Sequence, residues 1–178
     1  MQQKKLTTIA LMTATICILA PISIPVPLFP VALTLCTFAL YLTAYLLPWK
    51  EAVAATGLYL LIGSIGIPVF SGYQAGVGRF AAAGGGYMVG YLFLTGIASY
   101  FVHRYPDTTW LQILGMVLGT IVLYTLGTFW MAHVIGQTFL ATLPAGALIF
   151  LPMDAVKIGI SCCIGQKVSR YVYRAVSC

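Results

Sequence analysis

Three charged residues lie in apolar or glycine-rich parts of the chain, where charges are uncommon: Arg79, Asp154 and Lys157. Asp154 and Lys157 are three residues apart at an expected helix start, with Pro152 near the first helical position, and therefore share one helix face. A lysine and an arginine can hold a carboxylate, whereas an aspartate accepts hydrogen bonds from N–H groups. The three residues predict a binding site for a small ligand that is acidic at one end and amide-like at the other.

Each of these charges also has a purely structural explanation. The helix macrodipole favours Asp154 in a first turn, Lys157 then neutralises it, and Arg79 is an interfacial arginine on a wet loop. We favour a binding site because a charge inside a membrane costs about 2.5–3.5 kcal/mol and usually faces a cavity or pathway.

Several neutral side chains are candidates for the walls of this site. Phe29, Tyr73, Phe80 and Trp130 can supply apolar surface, and Gln74 can supply an amide. Each aromatic residue taken alone fits core packing or an interfacial aromatic belt better than a ligand-binding wall.

The composition places these residues in a membrane. Hydrophobic residues make up 61% of the 178 residues and charged residues 7%, against about 45–50% and about 25% in soluble domains. We predict an all-α integral membrane protein with one transmembrane domain over 1–178. The net charge of +6 is expected to orient the chain in the lipid bilayer rather than to bind nucleic acid. The five cysteines are expected to be small hydrophobes, with no disulfide, metal site or cofactor.

Prolines, glycines and the few charges divide the apolar sequence into a predicted bundle of six transmembrane helices. The predicted helices cover about 6–22, 32–47, the stretch from Lys50-Glu51 to about 67, 87–102, 110–133 and a final segment from about 152 to 166 with a short lead-in from 139. A proline-rich outer loop over 21–30 joins the first two helices. A glycine-rich segment over 69–86, a loop or a re-entrant turn, separates the third helix from the fourth.

The distribution of cations predicts the orientation. Six crossings place both termini on one side, and seven of the nine cations fall on that side, which is therefore predicted to be cytoplasmic. These seven are Lys4, Lys5, Lys50, Arg104, Lys167, Arg170 and Arg174. The two exceptions, Arg79 and Lys157, lie toward the outer face. Lys4-Lys5 and the following apolar stretch imitate a signal peptide, but Ile18 stands where cleavage needs a small residue, so we expect a retained first helix.

Enzyme motifs are missing from the sequence. There is no G-x-x-x-x-G-K-[ST] for ATP, no G-x-S-x-G and no H-E-x-x-H, and His103 and His133 are predicted at opposite membrane faces. We therefore expect no catalytic activity, and any active transport must draw on an ion gradient or a partner. Ala10 and Ala14 form a small-residue strip where another helix can approach, either inside the bundle or on a partner.

Read together, these segments resemble the BioY family, the biotin-specific S components of energy-coupling factor (ECF) transporters. The matching stretches are 25–31 (PVPLFPV), 59–72 (YLLIGSIGIPVFSG), 85–91 (GGYMVGY) and 151–157 (LPMDAVK). They span nearly the whole chain in the expected order. The family usually has Gly-Pro-Thr before its Gly-Gly-Tyr, whereas this chain has Ala82-Ala83-Gly84 and so lacks a rigid proline and a hydroxyl.

The resemblance implies six helices, a biotin site near the outer surface capped by the loop between helices 1 and 2, and a bacterial plasma membrane. It implies that the Ala10/Ala14 strip docks on a transmembrane coupling subunit of the EcfT type, with two ATP-binding subunits supplying energy. Asp154 and Lys157 match the family's Pro-x-Asp-x-x-Lys positions, whereas Arg79 is assigned from its chemistry.

Biotin satisfies the chemical demand of the candidate residues. Its ureido N–H groups suit Asp154, and its carboxylate suits Lys157 or Arg79. The alternatives are an S component for another carboxylate vitamin, such as pantothenate, niacin or lipoate, and a self-sufficient secondary biotin carrier. A small intramembrane enzyme and a structural subunit without a ligand are disfavoured by the missing motifs and by the outer charges.

Overall fold

The structure, a computed structural model, describes residues 2–24 and 32–176, except for the side chains of residues 2, 4, 33 and 169–176. It is mainly helical. The helices are α1 (Gln2–Leu19), α2 (Cys36–Leu46), α3 (Trp49–Ser64), α4 (Gly85–Arg104), α5 (Thr109–Ile135), α6 (Phe139–Leu143) and α7 (Leu151–Val176). Two short strands, β1 (Ser23–Ile24) and β2 (Leu33–Thr34), pair antiparallel between α1 and α2, an addition to the predicted all-α architecture.

Within the described residues, two helices, α4 and α5, are long and apolar enough to cross a membrane. The stretch Phe139–Leu148 forms a third span with Leu151–Val168 if the two, bent by 40°, are taken as one. The apolar parts of α1 and α2 are shorter, Lys5–Leu19 and Cys36–Leu46. The helical membrane architecture is thus supported, whereas the count of six crossings stays a prediction.

The helix ends depart from the predicted bounds where local geometry intervenes. α1 ends at Leu19 rather than at residue 22, because Pro21 follows in a turn. α3 ends at Ser64, three residues before the predicted end, and Gly66 then adopts a φ of +109°. The last segment contains the short α6, a π-helical turn over Pro144–Leu148, and α7 from Leu151.

The glycine-rich segment ends earlier than predicted. Gly85 and Gly86 are the first two residues of α4, so the prediction that both lie in the 69–86 segment before the fourth helix is wrong. A Cβ atom at Gly85 would overlap the Phe80 carbonyl, and one at Gly86 would overlap Trp130 of α5. The absence of side chains at Gly85 and Gly86 therefore permits this close packing.

Hydroxyl groups join the helices inside the apolar bundle. The Tyr41 hydroxyl of α2 contacts Thr120 Oγ1 of α5 at 2.6 Å, and Ser99 of α4 donates to the Leu47 carbonyl at 2.6 Å. Such pairs satisfy polar groups that the lipid cannot solvate. They join α2 to α5, and the residue that follows α2 to α4. α2 also packs against α7, which carries Asp154 and Lys157.

Candidate functional site

Asp154 and Lys157 form the buried ion pair at the centre of the site. Both lie on one face of the first turns of α7, as predicted, and Lys157 Nζ lies 2.9 Å from Asp154 Oδ1. Asp154 is 2% exposed and Lys157 7%. Because each charge has an opposite charge as a hydrogen-bonded partner, the pair can persist in apolar surroundings.

The Lys157 ammonium group also donates to two groups outside α7. One is the Thr34 carbonyl oxygen of β2 at 2.6 Å, and the other is Thr37 Oγ1 of α2 at 2.9 Å. An ammonium group has three N–H donors. With Asp154 as the third acceptor, the donors of Lys157 are all used by the protein itself.

The Asp154 carboxylate, in contrast, retains acceptor capacity. Its Oδ1 atom accepts from Lys157 and from Thr37 Oγ1, which lies 3.0 Å away. Its Oδ2 atom accepts from the Tyr124 hydroxyl of α5 at 2.6 Å. Since each carboxylate oxygen can accept about two hydrogen bonds, the described contacts leave one acceptor position open on Oδ2.

Two neighbouring cavities lie beside this pair. The smaller, of about 30 Å³, is lined by Asp154, Lys157, Thr37, Tyr124 and Phe150 among others. The larger, of about 290 Å³, lies between β1, β2, α2, α4 and the glycine-rich segment. The two linings share Ala32, Thr34, Tyr87 and Tyr91. One ligand can therefore extend from the large cavity toward the ion pair.

Arg79 lines the larger cavity, and one buried nitrogen of its side chain has no hydrogen-bond partner among the described residues. A 3₁₀ turn over Val77–Phe80 carries it between α3 and α4. Its Nε atom is buried without a hydrogen-bond partner in the described part of the chain, and so is Ser71 Oγ, whose residue lines the same cavity. Buried polar groups in native proteins are normally satisfied. Among the described residues, these two groups are free to bond a polar group that enters the cavity.

Gln74 and Tyr73 are neighbours with different placements. The backbone of Phe70 pairs with that of Gln74 across a tight turn, in which Tyr73 has a φ of +58°. Gln74 lines the larger cavity, as the sequence predicts for a ligand-contacting amide. Tyr73 is 70% exposed and does not line either described cavity.

The other predicted residues are dispersed. Phe29 lies outside the described residues. Trp130 does not line either described cavity; it donates through Nε1 to the Ala82 carbonyl at 3.1 Å, two residues before the cavity-lining Gly84. Ala10 and Ala14 are both exposed on α1, so the small-residue strip faces outward rather than into the bundle.

Sequence reasoning missed the residues that complete the polar centre, Thr34, Thr37 and Tyr124. A signal for one of them was present: Gln112, Thr120, Tyr124 and Thr128 recur at helical spacing along one buried face of α5. That pattern identifies a polar stripe that needs partners inside the bundle. Nothing comparable in the sequence marks Thr34 or Thr37.

Comparison with known proteins places the whole chain in one group. A model of the BioY family matches residues 1–174. The "Biotin transporter BioY2" of Lactococcus lactis subsp. cremoris is 32% identical over 152 residues, which cover 85% of this chain and 82% of the relative. The "Biotin transporter BioY" of Thermotoga maritima is 28% identical over 167 residues, 94% of this chain and 96% of the relative.

Solved structures agree with the sequence relatives. The crystal structure of an S-component for biotin from an ECF-type ABC transporter superposes with a TM-score of 0.88 at 26% identity, over 95% of this chain and 92% of that one. The S component of a second bacterial ECF transporter gives a TM-score of 0.51 at 16% identity, over 99% of this chain and 97% of that one, and shows a likeness of fold alone.

Proposed function

The chain belongs to the BioY family, and from this membership we propose that it is the high-affinity biotin-binding S component of an ECF-type vitamin uptake transporter. It captures biotin at the outer face of the membrane and delivers it inward. The observation that carries this proposal is a pair of adjoining cavities, each with a polar group that can still form a hydrogen bond. In the larger cavity Arg79 has an unpaired buried nitrogen, and in the smaller one Asp154 Oδ2 has an open acceptor position.

Biotin has the matching distribution of polar groups. Its carboxylate is an acceptor that can pair with an arginine, its ureido ring offers N–H donors, and the rest is apolar. Aromatic side chains contribute to the walls, and Tyr87 and Tyr91 are shared by the two cavities. A mostly apolar pocket with a few placed polar groups is the usual form of a small-molecule site.

The hydrogen bonds of the two cations favour one orientation of biotin. Lys157 has three protein acceptors between 2.6 and 2.9 Å, so a carboxylate could pair with it only by displacing one of them. Arg79 has an unpaired nitrogen and lines the larger cavity. We assign the carboxylate to Arg79 and one ureido N–H to Asp154 Oδ2, with Gln74 as a further polar contact.

The proposed partners follow from family membership and the exposed strip. Ala10 and Ala14 face away from the bundle on α1, where small side chains let a second helix approach closely. We assign this strip to the coupling subunit, with two ATP-binding subunits supplying energy from the cytoplasm. The proposed location is a bacterial plasma membrane, with both termini cytoplasmic.

Ligand binding to the purified chain in detergent tests the proposal. Trp130 donates to the Ala82 carbonyl, two residues before Gly84 in the lining of the larger cavity. We therefore expect tryptophan fluorescence to change on biotin addition, with calorimetry as a label-free check. Pantothenate, niacin and lipoate are the matched competitors, because they share the carboxylate but lack the ureido ring. Tight binding of biotin alone supports the proposal; preference for a competitor, or no biotin binding by either method, contradicts it.

Transport without partners is tested separately. Uptake of labelled biotin is measured in cells that express this chain with and without a coupling subunit and its ATPases. We expect ATP-dependent uptake that requires the partners. Gradient-driven uptake by the chain alone would identify a secondary carrier that uses the same binding site.

A further inference from the structure

Thr37 contacts both members of the ion pair, and the direction of its hydrogen bonds is fixed. Thr37 Oγ1 lies 2.9 Å from Lys157 Nζ and 3.0 Å from Asp154 Oδ1. An ammonium group only donates, and a carboxylate only accepts. The Thr37 hydroxyl therefore accepts from Lys157 and gives its single hydrogen to Asp154.

This arrangement makes the two oxygens of Asp154 different. Oδ1 accepts two hydrogen bonds, from Thr37 and Lys157, whereas Oδ2 has Tyr124 as its described donor. A ligand N–H that reaches Asp154 is thus directed to Oδ2. Without the threonine hydroxyl, both oxygens would have an open position, and Lys157 would lose one acceptor.

We propose that Thr37 is a positioning residue for ligand binding, which selects the Asp154 oxygen that receives the ligand's ureido N–H. The proposal rests on the proposed function. Thr37 is itself 7% exposed and lies in the first turn of α2, three residues after Thr34, whose carbonyl accepts from the same ammonium group. The start of α2 thereby fixes the geometry of an ion pair that belongs to α7.

A set of three variants tests this role. Thr37→Val removes the hydroxyl at nearly constant shape, and we expect biotin affinity to fall by about 5- to 100-fold, the cost of leaving buried polar groups unsatisfied. Thr37→Ser keeps the hydroxyl and is expected to stay within about twofold of the parent. Thr43→Val is the control, because Thr43 is buried in the same helix and donates to the Ala39 carbonyl of its own helix.

A double-mutant cycle separates positioning from a structural effect. If Thr37 acts through Asp154, Thr37→Val lowers affinity in the parent but by less than about twofold in an Asp154→Asn background, since contacting residues in one network are not additive. A structural role would lower affinity by the same factor in both backgrounds. Thermal unfolding in detergent is measured for every variant, and Thr37→Ala, which adds no bulk, replaces Thr37→Val if the latter does not fold.

The outcomes separate the two proposals. Biotin binding by the parent, rescue by serine and a non-additive cycle support the role of Thr37. If the parent binds biotin, any one of three results would overturn that role and leave the proposed function standing. These are an additive cycle, a Thr37→Val variant with unchanged affinity, and a Thr37→Ser variant that folds but does not bind biotin. Absence of biotin binding by the parent would overturn both.

Discussion

Replacement of Arg79 by glutamine tests where the ligand carboxylate binds. Glutamine keeps an amide donor but removes the positive charge that lines the larger cavity. The ion pairs among the described residues join Lys5 to Glu51 and Lys157 to Asp154, so the substitution breaks neither. We therefore expect the free energy of unfolding to change little while biotin affinity falls.

The magnitude follows from the kind of contact that is lost. A hydrogen bond to a charged group contributes about 1.5–3 kcal/mol, which corresponds to a loss of affinity of about 10- to 150-fold. Arg79 is only partly buried, so solvent screening places the expected loss toward the lower end of that range.

The assay compares biotin with its carboxamide, which has the same shape and no charge. Binding of both ligands is measured for the parent and for Arg79→Gln. We expect the parent to prefer biotin by about tenfold or more, and the variant to bind both ligands alike. Arg104→Gln is the matched control, because Arg104 lies at the far end of α4 over the Tyr105 ring.

Two results would refute this reasoning. Equal losses of affinity for biotin and for the carboxamide would mean that Arg79 does not meet the carboxylate. The second is a preference for biotin over its carboxamide that is lost in Lys157→Met but kept in Arg79→Gln. That result would assign the ligand carboxylate to Lys157.

Three further substitutions, and a control for the last of them, have expected outcomes. Tyr124→Phe removes the hydroxyl that donates to Asp154 Oδ2 at 2.6 Å, so biotin affinity in titrations should fall about 10-fold or more. Unchanged affinity would contradict the assignment of Oδ2 as the oxygen that receives the ureido N–H. Tyr73→Gly should raise the free energy of unfolding by about 1 kcal/mol, since Tyr73 has a φ of +58°. It should leave biotin affinity unchanged; a clear loss of biotin affinity would place Tyr73 in the binding site. In thermal unfolding, Gly127→Ala should destabilise by about 1–3 kcal/mol, because its Cβ overlaps the Tyr87 ring, whereas Gly57→Ala, with open space around it, should not.

The part of the site that the sequence predicts is the part that is local in the chain. Asp154 and Lys157 are three residues apart in one helix, and helical geometry alone brings them together. The chemistry of Arg79 predicts its role, because it is a charge in a glycine-rich segment between apolar helices. Both inferences required only the apolar pattern and the cost of a charge in a membrane.

The part of the site that the sequence does not predict depends on which faces of the helices pack together. Thr37 contacts Asp154 across 117 positions in the chain, and Tyr124 contacts it across 30. Threonine and tyrosine are common in membrane helices, and their types do not show that α2 and α5 turn these particular residues toward α7. The start of α4 was mispredicted for a similar reason, since glycines that look like a loop are required by the close approach of Phe80 and Trp130.

Lys157 and Arg79 differ in how many hydrogen-bond acceptors the protein itself supplies to them. Lys157 joins α7 to α2 and β2 through three acceptors, and loss of one partner of a buried pair costs about 3–5 kcal/mol. Its removal therefore disturbs the bundle as well as the site, and a loss of binding in a Lys157 variant does not by itself identify a ligand contact. Arg79 has an unpaired nitrogen beside a cavity, so a change of ligand preference at that position reports on the ligand rather than on the fold.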